Sequence, residues 1–197
     1  DPDAVLAELA AEALCRSDDL RALEALQPVL RGDLDPVLRA RVAHALRLSH
    51  GAVAGGGPAE ALAAAVVTDR DVVVRTTALA SLAHVDLEAC PDALEALVAV
   101  TENDAEELVV RRACVAALRE HREFAKSLPV QLVVALEDAL PKTSGPLRLD
   151  VIAALGEVGR AESVLVLDSV RLNTKAAAEA QEVQRALDAL KKRTQDR

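Results

Sequence analysis

LRARVAHAL, at residues 38–46, is the first of four segments that share one pattern. The others are VRTTALASL at 74–82, VRRACVAAL at 110–118 and LRLDVIAAL at 147–155. Each has an aliphatic residue before an arginine, a small or aliphatic residue three positions after that arginine, and a leucine seven positions after it. These offsets place the apolar residues on one face of an α-helix. Their recurrence predicts an internal helical repeat.

A second helical pattern precedes each of these segments, so the repeat unit is a pair of helices. The arginines of the four segments are 36, 36 and 37 residues apart; they are Arg39, Arg75, Arg111 and Arg148. One helix pair cannot bury its apolar faces alone, whereas stacked pairs share a continuous core. We therefore expect one all-α domain over residues 1–197, with an end helix at 2–15 and about five antiparallel pairs. The expected pairs span residues 18–48, 58–84, 91–122, 129–157 and 161–192.

Prolines and glycines mark the expected helix ends. A proline stands at the predicted first turn of six helices, where its missing N–H has no intrahelical partner in any case; these are Pro2, Pro36, Pro58, Pro91, Pro129 and Pro146. Pro28 falls inside a helical pattern and is expected to kink or end that helix. The glycine-rich stretch at 51–57 predicts an elongated loop between repeats, because the 36-residue register continues across it.

The charge of the chain restricts its partners. Its net charge is −9, and residues 1–100 carry 16 acidic and 8 basic side chains. An acidic protein attracts neither phosphate backbones nor anionic membranes as a whole. Phe124 is the single aromatic residue, so stacking on nucleic-acid bases is essentially excluded. We expect no nucleic-acid partner and no membrane association.

The cysteines and the chain ends bear on location. Cys15, Cys90 and Cys114 are few, odd in number and widely spaced, which favours a reducing compartment over a disulfide framework. No apolar run approaches the roughly 20 residues that span a bilayer, and no signal peptide is present. We expect a cytoplasmic protein. The chain begins Asp1-Pro2 without an initiator methionine, so we expect either a processed product or a domain cut from a longer protein.

An aspartate in the turn of a pair, followed by Val-Arg opening the second helix, resembles HEAT repeats, and most closely the short bacterial kind of the phycobilisome lyases. In that family an Asp lies six residues before the Arg, as Asp33 does before Arg39 and Asp69 before Arg75. In the third repeat the acid is seven residues before the Arg; in the fourth Lys142 replaces it, and in the last Val183 replaces the Arg. The resemblance implies a right-handed α-solenoid.

The repeated acids and arginines are expected to form a structural ladder between neighbouring pairs. Its members are Asp33, Arg39, Asp69, Arg75, Asp104, Arg111 and Arg148. A ligand-binding role is the alternative, because the guanidinium fork of arginine also suits carboxylates.

Residues that could support catalysis do not form a recognisable set. None of His44, His50, His84 and His121 pairs with a second His or Cys at metal-ligand spacing. Relatives of this architecture that hold a di-iron centre use His-Glu pairs, and no such dipeptide occurs here. We expect no metal, no cofactor and no enzymatic activity. A HEAT-type lyase or other HEAT-fold enzyme is the alternative, and a nucleic-acid-binding HEAT-like domain is a weaker one.

The surface of the second helices is then the candidate site. In a HEAT stack these helices line the concave side, and a grooved surface can hold a segment of another protein. Exposed positions there, by their offset from the repeat arginine, include Arg41, His44, Arg47, Arg112 and Arg119. The sequence therefore predicts a scaffold or adaptor that binds a protein or peptide partner at these residues.

Overall fold

A computed structural model describes residues 2–16, 19–32, 35–48, 56–124 and 128–195. All regular structure in these ranges is helical. The helices are α1 (Pro2–Arg16), α2 (Leu20–Arg31), α3 (Pro36–Leu46), α4 (Gly57–Thr68), α5 (Val72–Leu82), α6 (Pro91–Glu102), α7 (Leu108–Phe124), α8 (Val130–Ala139), α9 (Gly145–Val158), α10 (Ser163–Asn173) and α11 (Ala177–Gln195), with a 3-10 turn at Leu140–Lys142. The predicted all-α fold of packed helix pairs, the local architecture of an α-solenoid, is confirmed.

Aspartates begin the helices that follow short turns. The Asp35 carboxylate accepts a hydrogen bond from the Val37 N–H at the start of α3, and Asp71 accepts from Val73 and Val74 at the start of α5. Each satisfies donors that have no partner within the helix. Of the two effects expected of Pro28, a kink or the end of its helix, the second is wrong, because α2 continues to Arg31. Pro28 lies in the last turn, so its missing N–H removes only one helical hydrogen bond.

The chain divides into two compact units, Asp1–Val100 and Thr101–Arg197, with the division inside α6. The single solenoid over 1–197 stays a prediction. In unit 1, α2 packs on α3 and α4 packs on α5, while first helices contact first helices and second helices contact second helices. The end helix α1 packs mainly on α3. Leucines such as Leu62, Leu79 and Leu82 are fully buried in this core.

Unit 2 is built around α9, which packs on α7, α8 and α11. It approaches α11 closely at Gly156, where a Cβ atom would lie 2.6 Å from the Cα of Ala186. The backbones of α9 and α11 can approach this closely because Gly156 has no side chain. Leu118, Leu136 and Ile152, on α7, α8 and α9, are fully buried in this unit. The core therefore uses aliphatic residues and close backbone approach, as the near-absence of aromatic residues suggests.

Candidate functional site

The first repeat arginine is held by the next helix pair. On α3, Arg39 Nε donates to Asp69 Oδ2 at 2.8 Å and Nη2 donates to Oδ1 at 2.9 Å. Asp69 lies in the turn between α4 and α5 and also accepts the Asp71 N–H. The two ion-paired side chains are only 11% and 7% exposed. Arg75 binds the same turn from α5, through Nη1 to the carbonyl oxygens of Asp69 and Arg70.

These contacts set the charge state of Asp69. Burial would raise the pKa of the Asp69 carboxyl, but the hydrogen bonds from Arg39 and from the Asp71 N–H, with the charges of Arg39 and Arg75, hold the pKa below its usual value. The carboxylate therefore stays ionised and paired in the folded protein. Asp33, the corresponding acid of the preceding pair, lies outside the described residues.

In unit 2 the repeat arginines have different partners. Arg111 donates to Asp104 at 3.1 Å within its own repeat, and the Asp104 side chain is half exposed. Arg148 Nε donates to Glu179 at 2.9 Å, and its Nη1 donates to the Leu140 carbonyl oxygen at 2.6 Å. Glu179 was not among the predicted ladder residues, because the last repeat lacks both the turn aspartate and the arginine that define the pattern. The hydrogen bond from Arg148 to Glu179 nevertheless joins α9 to the start of α11.

The predicted partner-binding residues fall in both units. Arg41 and His44 lie on α3 in unit 1, Arg47 caps its C-terminus, and all three are half-buried rather than exposed. The prediction that they are exposed is wrong, because α1 and α5 both pack on α3. Arg112 and Arg119 lie on α7 in unit 2. The structure therefore describes two separate groups of these residues.

Arg112 and Arg119 are not isolated charges. Arg112 Nε donates to Asp150 Oδ2 at 2.6 Å, and Arg119 forms a two-bond fork with Glu157 at 2.9 and 2.5 Å. The hydrogen bond to Asp150 raises the pKa of Arg112, and the fork to Glu157 raises that of Arg119. Both acids belong to α9, 38 residues after their arginines. That shared spacing, one repeat plus one or two residues, is the sequence signal that would have identified the pairs.

A groove runs beside these ion pairs on the surface of unit 2. Its volume is about 350 Å³, and its lining includes Val109, Ala113 and Ala116 of α7 together with Arg112, Arg119 and Asp150. The α7 residues recur at helical spacing, so they share one face. Val109 is 52% exposed, and Ala116 is also exposed. The site thus combines a small apolar floor with charged side chains on its rim.

The cysteines of the described core are poorly suited to nucleophilic chemistry. Cys114 is fully buried beside Thr101, and burial raises the pKa of its thiol to about 11. Burial also raises the pKa of Cys90. A thiol reacts as the thiolate, so a raised pKa lowers its reactivity. Among the described side chains no group of His, Cys, Asp and Glu could hold a metal ion, and no described helix is long and apolar enough to span a bilayer.

We expect both buried thiols to resist labelling. In a Cys15→Ser variant, which removes the third cysteine, neither Cys90 nor Cys114 should react with an aromatic disulfide reagent at about pH 8 while the protein is native. Both should react once the chain is unfolded in denaturant. The reacted thiols are counted by the absorbance of the aromatic thiolate that each of them displaces from the reagent. Rapid release of one equivalent from native protein would contradict the burial described above.

Comparison with known proteins supports the fold. No protein-family model matches the chain, and no curated protein matches its sequence. Among solved structures, the crystal structure of an engineered protein is similar with a TM-score of 0.53 and 21% identity, covering 94% of this chain and 90% of that one. Human deoxyhypusine hydroxylase in complex with glycerol is similar with a TM-score of 0.35 and 17% identity, covering 95% and 80%. Membership of the HEAT family stays a prediction.

The expectation that this chain has no enzymatic activity is corrected. That prediction is wrong as an inference from the fold, since a helical architecture hosts many unrelated functions.

Proposed function

We propose that the groove between α7 and α9 binds a segment of another protein. The observation that carries this proposal is the lining of the groove: an apolar floor of Val109, Ala113 and Ala116, the first and last of them exposed, beside Arg112 and Arg119. Binding grooves commonly combine apolar contact area with a few polar groups that fix the orientation of the ligand. The small side chains of the floor leave space for aliphatic side chains of an incoming segment.

The arginines would orient the segment more than hold it. Arg112 is half exposed, and its two terminal nitrogens make no hydrogen bond to any residue that the structure describes. They are available to a carboxylate on the partner, which suits the geometry of a guanidinium. An exposed ion pair contributes only about 0–1 kcal/mol, so most of the affinity would come from apolar contact with the floor. The proposal is centred on unit 2 because the α3 residues are less accessible.

The test selects a ligand from a library of random peptides displayed on phage and measures its binding by fluorescence anisotropy. Ala116→Glu places a charged side chain on the exposed floor, and we expect it to weaken the selected peptide at least tenfold, equivalent to about 1.4 kcal/mol. Ala80→Glu makes the same change at an exposed position of α5, 36 residues earlier in the repeat register. This control should bind the peptide as the unmodified protein does.

Two outcomes would contradict the proposal. One is that no peptide is enriched above an unrelated helical protein used as bait. The other is that selected peptides bind the Ala116→Glu and Ala80→Glu variants equally well, which would place the binding surface away from the α7–α9 groove.

A further inference from the structure

Unit 2 has a gap in its layer of first helices. In unit 1 the neighbouring first helices α2 and α4 pack directly on each other. The corresponding helices of unit 2, α8 and α10, do not pack together in this way, although the structure describes both along their whole lengths. At one end of the gap the Ser163 hydroxyl of α10 donates a hydrogen bond to the Glu137 carboxylate of α8. The rest of the gap is a cavity of about 560 Å³, which we call the α8–α10 cavity.

The α8–α10 cavity combines an aliphatic lining with a few polar groups. On α10 its lining residues share one face of the helix; they are Leu165, Val166, Ser169, Val170 and Asn173. Across the cavity lie Leu140 and Pro141 of the 3-10 turn, with Glu137 and Arg148. Ligand pockets typically measure about 300–1,000 Å³ and have this kind of lining. The cavity shares no lining residue with the α7–α9 groove.

Glu137 brings a negative charge to the cavity without a cation to balance it. The residue is half-buried, and its carboxylate accepts the Ser163 hydroxyl. Among the residues that the structure describes, no Lys, Arg or His forms an ion pair with it. A half-buried carboxylate of this kind favours a positively charged group on a ligand.

Arg148 retains one hydrogen-bonding nitrogen. Its Nε donates to Glu179 and its Nη1 donates to the Leu140 carbonyl oxygen, whereas Nη2 makes no hydrogen bond to any described residue. This nitrogen can donate to a carboxylate on a ligand. Because Glu179 already balances part of the charge of Arg148, such a contact would orient a ligand more than hold it.

The acid and the base lie at opposite ends of the cavity. Glu137 is hydrogen-bonded to Ser163, the first residue of α10. Arg148 is hydrogen-bonded to Glu179 near the start of α11, and only three residues separate that helix from the end of α10. A helix rises by 1.5 Å per residue, so the stretch of α10 that lines the cavity spans about 12 Å.

We propose that the α8–α10 cavity binds a short aliphatic peptide with both ends free, its ammonium group at Glu137 and its carboxylate at Arg148. An extended dipeptide spans about 7 Å, and a hydrogen bond of about 3 Å at each end extends its reach to roughly the length of the cavity. The aliphatic lining supplies apolar contact for its side chains. The Asn173 Nδ2 donates to the Ser169 carbonyl oxygen, which leaves Oδ1 as an acceptor for a peptide N–H.

The test titrates the full chain with the dipeptide Leu-Leu and follows backbone amide shifts by NMR. We expect saturable shifts confined to α8, the 3-10 turn, the start of α9 and α10. N-acetyl-Leu-Leu, which lacks the ammonium group, and Leu-Leu amide, which lacks the carboxylate, should each bind at least fivefold more weakly. Free leucine is too short to reach both ends and should bind at least tenfold more weakly.

Two variants connect these losses to the cavity. Glu137→Gln keeps an acceptor for the Ser163 hydroxyl but removes the charge, so it should weaken Leu-Leu at least fivefold and leave N-acetyl-Leu-Leu unchanged. Ser169→Phe fills the cavity from an exposed position of α10 and should abolish binding. Leu172→Phe, on the same helix at a residue that is 77% exposed and outside the lining, is the matched control and should bind Leu-Leu normally.

Three results would overturn the proposal: no saturable shift with Leu-Leu, equal affinity for Leu-Leu and its two capped forms, or undiminished binding to Ser169→Phe. Shifts confined to α7 and the Asp150 region would likewise contradict it, because they would place the dipeptide in the α7–α9 groove. Failure here leaves the proposal for that groove intact, since the two sites share no lining residue.

Discussion

Replacing Asp69 with alanine is expected to lower the free energy of unfolding by about 3–5 kcal/mol, the usual effect of removing one partner from a buried ion pair. The Arg39–Asp69 pair is almost wholly removed from solvent, and alanine would leave the guanidinium without its carboxylate. The N–H of Asp71 would lose its acceptor as well. Chemical denaturation followed by circular dichroism measures the loss.

The third repeat supplies the matched control. Asp104 pairs with Arg111 at the corresponding position of the repeat, but its side chain is 51% exposed. Asp104→Ala should therefore lower stability by at most about 1 kcal/mol. Equal losses for the two variants would show that burial of the Arg39–Asp69 pair is not what stabilises unit 1.

The same pair predicts a pH dependence. Because the folded protein holds the pKa of Asp69 below its unfolded value, the stabilisation is fully present above that unfolded value, about 3.9. It is lost as the pH falls through the folded pKa. The difference in unfolding free energy between the unmodified chain and Asp69→Ala should therefore be constant near neutral pH and shrink below about pH 4. A difference that grew on acidification would have the wrong sign.

The second large effect is expected at Gly156. A methyl group there would lie 2.6 Å from Cα and 2.7 Å from Cβ of Ala186, and neither atom can rotate away. Overpacking of this kind costs about 1–3 kcal/mol. Replacing a mid-helix glycine by alanine would by itself stabilise the helix by about 1 kcal/mol. The clash involves backbone, so we expect Gly156→Ala to destabilise the protein, with a lower midpoint in thermal unfolding.

A double-mutant cycle separates the clash from helix propensity. Ala186→Gly removes the closest side-chain atom, so it should restore part of the stability of Gly156→Ala even though glycine is unfavourable in α11. If the two substitutions were simply additive, the contact with the Ala186 Cβ would not contribute to the loss.

The helices could be predicted from the sequence because their signals are local. The spacing of apolar residues identifies α3, α5, α7 and α9, and Asp35 and Asp71 mark two of the starts. That Pro28 does not end α2 could not be predicted, since this depends on how far the helix extends beyond it. The approach at Gly156 is not a local property. It depends on which residue of α11 lies opposite α9, and the sequence does not specify that registration.

For the candidate site, too, the sequence predicted what depends on local spacing and missed contacts between residues far apart in the chain. The offset from the repeat arginine correctly assigned Arg112 and Arg119 to one helix, α7. It did not reveal Asp150 and Glu157 as their partners, because each lies a full repeat away. For Arg41 the offset gave the helix but overestimated exposure, since the end helix α1 packs on α3. Arg47 lies one residue past the end of that helix.

The Arg39–Asp69 pair also couples the folding of neighbouring helix pairs. Arg39 belongs to one pair and Asp69 to the next, so opening either pair alone breaks this buried ion pair and its two hydrogen bonds. In repeat proteins, cooperativity depends on such nearest-neighbour terms, which disfavour boundaries between folded and unfolded repeats. This contact therefore makes partial unfolding within unit 1 rare, and it makes the two helix pairs exchange their amide protons as one unit.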